Sequence, residues 1–496
     1  MAYCVHLSHQ RRSNQLRMST PPPTHPDNDA LDEGLLHDVA QGACRLTPAQ
    51  GLDLLRAAPL HTLGRYADAR CRALHGDSIR TYVIDRNINY TNVCTARCTF
   101  CAFRRDAGDL DAYTLEPGRI YEKVEELLEI GGTQILMQGG MNPDLPLSWY
   151  EDLLHGLKER FPHVHIHAFS PPEIIEFVRF FDPPGKTLLD KLRWVLARLQ
   201  TAGLDSVPGG GGEIFAQPVR RKIGLGKCDA NAWLTTMYAA HSLGMSTSCT
   251  MMFGHIEGLA DRVHHMALAR QWQDRALRDF ADGATTQSGA AIAGGQYKAF
   301  ISWPFQRENT PMGRIKDWGA NERELDEPFP GDVVATLAGD GDPKAHAAFG
   351  RRLRMSGSTD YLRTQAVSRL MLDNFYSIGA SWVTMGPHIG QVALHFGAND
   401  MGSVMMEENV VSAAGTTYCL DEPVLCRLIR DAGFTPAQRD NAYDLLAIHA
   451  DESSPDLLVD DWSEHRARAL HAEKTASAAP DPVAVTMSLS SEPARA

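Results

Sequence analysis

Three cysteines raise the question of chemistry first. The segment Cys94-Thr-Ala-Arg-Cys98-Thr-Phe100-Cys101 spaces them as C-x3-C-x2-C. Three thiolates on one short loop suit three irons of a [4Fe–4S] cube, and the fourth iron then lacks a protein ligand. That open iron is a coordination site for a further molecule. Two plainer readings stand beside this one. A structural zinc wants four closed ligands, and no further Cys or His lies close by to complete the set. In the other plain reading the three cysteines are unrelated neighbours.

Other candidates sit where short apolar runs end. Gly139-Gly140 follows Gln134–Met137, and glycine lets a backbone approach a ligand or simply turn. Gly209–Gly212 is followed by Glu213, whose carboxylate could accept both hydroxyls of a ribose or be merely solvated. The G-x-G-x-x-G dinucleotide spacing is absent there. Ser170-Pro171-Pro172-Glu173 offers two polar groups to a cavity, or else caps a helix start. His255 follows Met251-Met252-Phe253-Gly254. It is a candidate general base or hydrogen-bond donor, with a structural histidine as the plain alternative. Asp85 and Arg86 read as structural, paired with each other or with neighbours.

The elements that must position these groups alternate along the chain. Strand character over 81–91, 134–137, 163–169, 204–207, 247–253, 297–302 and 381–385 is interleaved with helical periodicity over 120–130, 149–160, 188–202, 230–243, 259–280 and 364–377. Such alternation implies right-handed βαβ units and a parallel sheet. The expected fold class is α/β, a TIM-type (β/α) barrel over 77–400. N-terminal helices are expected over 31–76, and a C-terminal helical extension over 422–450 within a region 401–450 packed on the barrel. Barrel sites form at the strand C-terminal ends, so the cysteine loop, both glycine turns, Ser170–Glu173 and His255 should meet at one mouth. Residues 1–30 and most of 451–496 read as disordered, and 282–295 and 318–357 as insertions.

Composition narrows the class. The 496 residues are 43% hydrophobic and 22% charged, ordinary for a globular chain, with a net charge of −13. An acidic balance argues against nucleic-acid binding. Seven scattered cysteines beside the cluster do not form a disulfide framework, which points to a reducing cytoplasm. No apolar run reaches membrane-spanning length, so no membrane insertion is expected. Residues 1–17 lack a signal-peptide core, and either Met1 or Met18 could be the start.

The stretches "DRNINYTNVCTARCTFCAF" (85–103), "QILMQGGMNP" (134–143), "GLDSVPGGGGEIF" (203–215), "MMFGHIE" (251–257) and "ASWVTMGPHIGQVALHFGANDMGSVMMEENVVSAAGT" (380–416) together resemble the cyclic dehypoxanthine futalosine synthase family. These are radical S-adenosylmethionine (SAM) enzymes of the futalosine route to menaquinone. The cysteine motif marks only the superfamily; the 380–416 stretch is more specific. The resemblance implies a [4Fe–4S] cluster on Cys94, Cys98 and Cys101, with SAM on the open iron. It implies Phe100 beside the adenine, Glu213 on the ribose, and a backbone role for Gly139 and Gly140, since Met141 stands where the superfamily often has Glu. Ser170, Glu173 and His255 would line the substrate side. The implied substrate, dehypoxanthine futalosine, joins a benzoate to a ribose. A deoxyadenosyl radical would take hydrogen from the ribose, and the sugar would close onto the aromatic ring. A reducing donor such as flavodoxin or ferredoxin is implied. The segments around 179–192, 282–295 and 318–357 and both termini look longer than the family pattern. The rival readings are a sister enzyme (aminofutalosine synthase or a deazaflavin FO synthase subunit) and a non-catalytic iron–sulfur or zinc scaffold.

Overall fold

A computed structural model describes residues 33–280, 284–285, 291–292, 295–316 and 353–465. The expectations for 1–30, and for most of 282–295, 318–357 and 451–496, lie outside the described residues.

The chain reaches its barrel through three helices. Pro48–Ala57 starts on a capping box, with Thr47 and Gln50 exchanging backbone hydrogen bonds. Leu60–His75 packs against Ser358–Met371. The approach is close: a Cβ on Gly51 would meet the Met371 sulfur at 2.4 Å.

The first strand pair organises the barrel. Ile79–Val83 and Asp85–Ile88 run on from each other, broken only at Ile84. The second half pairs in parallel with Gln134–Met137, which pairs with His165–Ala168. Thr247–Phe253 pairs with Tyr297–Pro304, which pairs with Ser377–Gly379, then Asp400–Ser403, and this last strand returns to Ile79–Val83. The regular ladders therefore form a three-stranded and a seven-stranded sheet. Single parallel bridges, His167 to Ser206 and Val207 to Thr247, join them across the segment 206–207. The wall is that of a TIM-type barrel with one thin seam, and the apolar core lies between it and the surrounding helices.

Three elements depart from the sequence reading. The strand expected over 381–385 is Ser377–Gly379, and Trp382–Met385 is a helical turn. Pairing of Ser377 and Gly379 with Ala299 and Ile301 takes the ladder position first and leaves 382–385 above the strand end. Asp400–Ser403 was not anticipated, because Asp-Met-Gly-Ser lacks β-branched alternation. The C-terminal extension is helical only over Glu422–Asp431. Gly433 turns the chain at φ +85, and Thr435–Arg439 and Leu445–Ile448 follow as a hairpin added to Ile79–Val83.

That hairpin closes the barrel end opposite the cysteine loop. The Arg439 guanidinium grips Asp400 with bonds of 2.5 and 2.9 Å, and both side chains are buried. Asp400 also accepts from Thr81 Oγ1 at 2.5 Å, and the Tyr443 ring lies 3.9 Å from the guanidinium. Removing one partner strands a buried charge, which typically costs about 3–5 kcal/mol. Arg439→Leu is therefore expected to lower unfolding stability by roughly that amount in urea titration, while Arg439→Lys loses less; equal stability of Arg439→Leu and the parent would refute this anchoring role.

Candidate active site

The cysteine loop leaves Asp85–Ile88 and is pinned by backbone bonds. Thr95 N–H donates to Met141 O at 3.0 Å, Cys94 N–H to Arg105 O at 3.1 Å, and Thr99 N–H to Ile223 O at 2.8 Å. Arg97–Cys98 adds a short antiparallel pairing with Gly224–Leu225. A Cβ on Gly140 would sit 2.0 Å from Val93 O, and one on Gly139 would sit 2.5 Å from the Tyr90 ring. Only glycine lets the second strand end lie this close under the loop.

All three cysteines line one cavity of about 480 Å³. Burial pushes the Cys94 thiol up and the Cys98 thiol to about 12, against the pull of the nearby Lys227 charge on Cys98. Thiols so placed become thiolates readily only when a metal replaces the proton. The donor set of three thiols with glycine-lined approach thus fits an iron–sulfur cluster. Among the described residues no three His, Cys, Asp or Glu side chains converge as a single ion would require. In a cube each thiolate takes its own iron.

Gly139 and Gly140 both line the cavity, as do Phe100, Ser170, Glu173 and Glu213. Glu173 is nonetheless committed to protein donors. Its Oε1 accepts from Tyr90 OH at 2.6 Å and Gly139 N–H at 3.0 Å; its Oε2 accepts from Ser170 N–H at 2.8 Å and Ser170 Oγ at 2.5 Å. A carboxylate has about four lone-pair sites, and four donors fill them. Glu173, a candidate catalytic group at the cavity or else a helix cap, is bound as the cap of Pro171–Phe181 and ties three strand ends together. Burial raises its pKa, and the same four bonds oppose that rise.

Glu213 ends the glycine run in a left-handed conformation, φ +40, and is buried. The run packs tightly. Cβ atoms on Gly209, Gly210 and Gly212 would fall within 2.7 Å of Ser248 O, Gln138 Nε2 and Thr250 O. Arg220 and Trp233 hold its carbonyls. Glu213 Oε1 accepts from Lys227 Nζ at 2.8 Å, and that ammonium lies 4.9 Å from the Phe100 ring. Burial opposes the Lys227 charge, but Glu213 and Cys98 outweigh it and raise its pKa. Lys227 thus links the cysteine loop to the glycine turn. Nothing in its local sequence, Gly-Leu-Gly-Lys-Cys-Asp, marked it.

His255, the candidate general base, also takes the plainer of its two readings. Gly254, at φ +80, turns the chain away from the mouth, and His255 is fully buried outside the cavity lining. It sits 3.1 Å from Glu257, which also meets Arg262; Arg262 reaches Asp360 at 2.7 Å. Burial lowers the His255 pKa, with Glu257 opposing. This is a structural histidine in an ionic cluster.

Strand alternation also brings in residues not anticipated as site groups. Asp85, Asn87, Asn89 and Gln134 face the cavity, and Lys298 enters it from the other sheet. Arg86 points outward to Glu126 and Glu407.

Barrel, cysteine loop and glycine turns together define a radical SAM protein. The Radical SAM superfamily matches residues 88–269, and the CofH/MqnC C-terminal region matches residues 349–451. The chain is 36% identical to cyclic dehypoxanthine futalosine synthase of Halalkalibacterium halodurans, over 85% of this chain and 97% of that one. It is 33% identical to 5-amino-6-(D-ribitylamino)uracil–L-tyrosine 4-hydroxyphenyl transferase of Methanopyrus kandleri, over 84% and 94%. In fold it is similar to methylornithine synthase (TM-score 0.53, 17% identity, 81% of this chain and 97% of that one). The chain belongs to the radical SAM superfamily, and within it to the family of cyclic dehypoxanthine futalosine synthase and its sister enzymes. A [4Fe–4S] cluster and SAM are the cofactors of that superfamily.

Two substitutions separate positioning from chemistry. Glu173→Gln removes acceptor capacity from buried donors, each worth about 1–3 kcal/mol. It is expected to lower stability in denaturant titration and to weaken SAM binding in calorimetry; unchanged values of both would contradict the tie between strand ends. His255→Gln is expected to lower stability but keep SAM cleavage within a few-fold of the parent; a loss of about 100-fold in a folded variant would return His255 to the chemistry.

Proposed function

We propose that this enzyme converts dehypoxanthine futalosine to cyclic dehypoxanthine futalosine in menaquinone biosynthesis. The observation that carries the reading is one cavity lined at once by the three cysteines, both glycine turns, Glu213 and a polar barrel interior. The relative at 36% identity bears that enzyme's name across nearly its whole length.

Cys94, Cys98 and Cys101 would hold the cluster. Cluster and SAM, when bound, supply the deoxyadenosyl radical that takes hydrogen from the ribose. The Phe100 ring would flank the adenine, and the backbone of Gly139 and Gly140 would approach the methionyl end of SAM. Glu213 would accept from the ribose hydroxyls of SAM, its other oxygen being held by Lys227. Ser170 would serve by fixing Glu173.

We assign residues 77–403 to the catalytic barrel, whose wall the strand Asp400–Ser403 completes, 33–76 to helices that support it and 404–450 to a region that closes its floor. The enzyme would draw electrons from a flavodoxin or ferredoxin and work in the cytoplasm. Among the described residues no helix is long and apolar enough to cross a membrane. A second reading, a sister enzyme acting on another aromatic substrate, is favoured by relatives that bear such names, among them aminodeoxyfutalosine synthase.

The test is anaerobic. The reconstituted enzyme with dithionite, SAM and dehypoxanthine futalosine is expected to yield 5′-deoxyadenosine and a product lighter by two hydrogens, both absent in Cys98→Ala. Deoxyadenosine without that product would move the substrate to a sister reaction; no SAM cleavage by a loaded cluster would sink the enzyme reading.

A further inference from the structure

We propose that Lys298 is the anion subsite for the benzoate carboxylate of the substrate, with Asn87 and Asn89, towards the mouth end of Asp85–Ile88, accepting hydrogen bonds from its hydroxyls. This rests on the substrate class given above.

The strand Tyr297–Pro304 shifts register between Tyr297 and Ala299. Such a bulge re-aims a side chain, and here both Lys298 and Ala299 line the cavity. Lys298 makes no hydrogen bond or ion pair among the described residues. The nearest-matching acids at that end are occupied: Asp400 by Arg439, Thr81 and Gly402, and Asp85 by Ser403 and Gln134. A half-buried cation facing the cavity, with no counter-ion among the described residues, is placed to take an anion from the ligand.

Position says which end of the ligand. Lys298 stands near the start of its strand, while the cysteine loop lies beyond the strand ends. At about 3.3 Å per residue, Lys298 is roughly 20 Å along the strand from Pro304. SAM at the mouth is out of its reach. The group it can meet is the one furthest from the reacting ribose, the carboxylate across the aromatic ring. Ile301, Trp303 and Leu136 line the cavity between these ends and give the ring apolar walls.

The acceptors follow from amide orientation. Asn87 Nδ2 donates to Glu408 and Asn89 Nδ2 to Gln138 O. Each nitrogen thus has a protein acceptor, while Asn87 Oδ1 and Asn89 Oδ1 are buried without a partner among the described residues. Two acceptors without donors, near the mouth of one cavity, match a ligand rich in hydroxyl hydrogens.

The test is equilibrium binding by anaerobic calorimetry, using cluster-loaded enzyme with SAM and no reductant. The ligands are dehypoxanthine futalosine and its benzoate methyl ester. Lys298→Met is expected to weaken the acid about 10- to 100-fold, leave the ester unchanged and keep full cluster loading, with Lys298→Arg restoring most of the loss. Unchanged acid affinity in Lys298→Met, or equal losses for acid and ester, would overturn the subsite. If the acid binds in a Lys298-dependent way but reductant yields no cyclised product, the cyclase reading falls and the carboxylate subsite stands. If the parent enzyme binds neither ligand, both fall.

Discussion

The buried carboxylate of Glu173 holds the mouth of this barrel in register. Its four donors come from Tyr90, Gly139 and Ser170, which end three successive strands. A charge with no water around it must be fully hydrogen-bonded, so these three strand ends cannot drift apart cheaply. Gly139 fixed there sets Gly140 against Val93 and Cys94, and so sets where the cysteine loop can lie. The cluster loop is therefore placed by a group that need not touch the ligand. Glu257, with Arg262 and His255, makes a comparable buried cluster below another strand end.

The second organising pair sits at the opposite end. Arg439 and Asp400 join the added C-terminal hairpin to the barrel floor. Between floor and mouth the cavity changes character, from a lysine cation near the floor, past aliphatic and indole walls, to the Asn87 and Asn89 amides, glycine backbone and thiols. That gradient suits a ligand with an acidic aromatic end and a sugar end, with the sugar nearest the source of the radical.

Much of this was legible in the residues. The cysteine spacing and the glycine turns carry their chemistry locally, and the alternation of elements gave the barrel and its site face. Leu188–Ala202, Thr247–Phe253 and Leu259–Phe280 fall where periodicity puts them, because long apolar repeats have one solution. What was not legible depends on tertiary partners. His255 follows a strand like a site residue, but the positive φ of Gly254 turns it inward. Glu173 looks like a catalytic acid until its donors are counted. Lys227 and Lys298 carry no motif; a distant Glu213 and a register shift give them their places. The strand Asp400–Ser403 has no strand-like composition and exists because its neighbours leave room for it.

The central claim is that Cys94, Cys98 and Cys101 hold a cluster with one iron open to SAM. Electron paramagnetic resonance of the reduced, reconstituted protein tests it most directly, with and without SAM. The account predicts a [4Fe–4S] signal that changes when SAM is added and is lost when any one of the three cysteines becomes alanine. A signal indifferent to SAM, or one that survives Cys98→Ala, would contradict it.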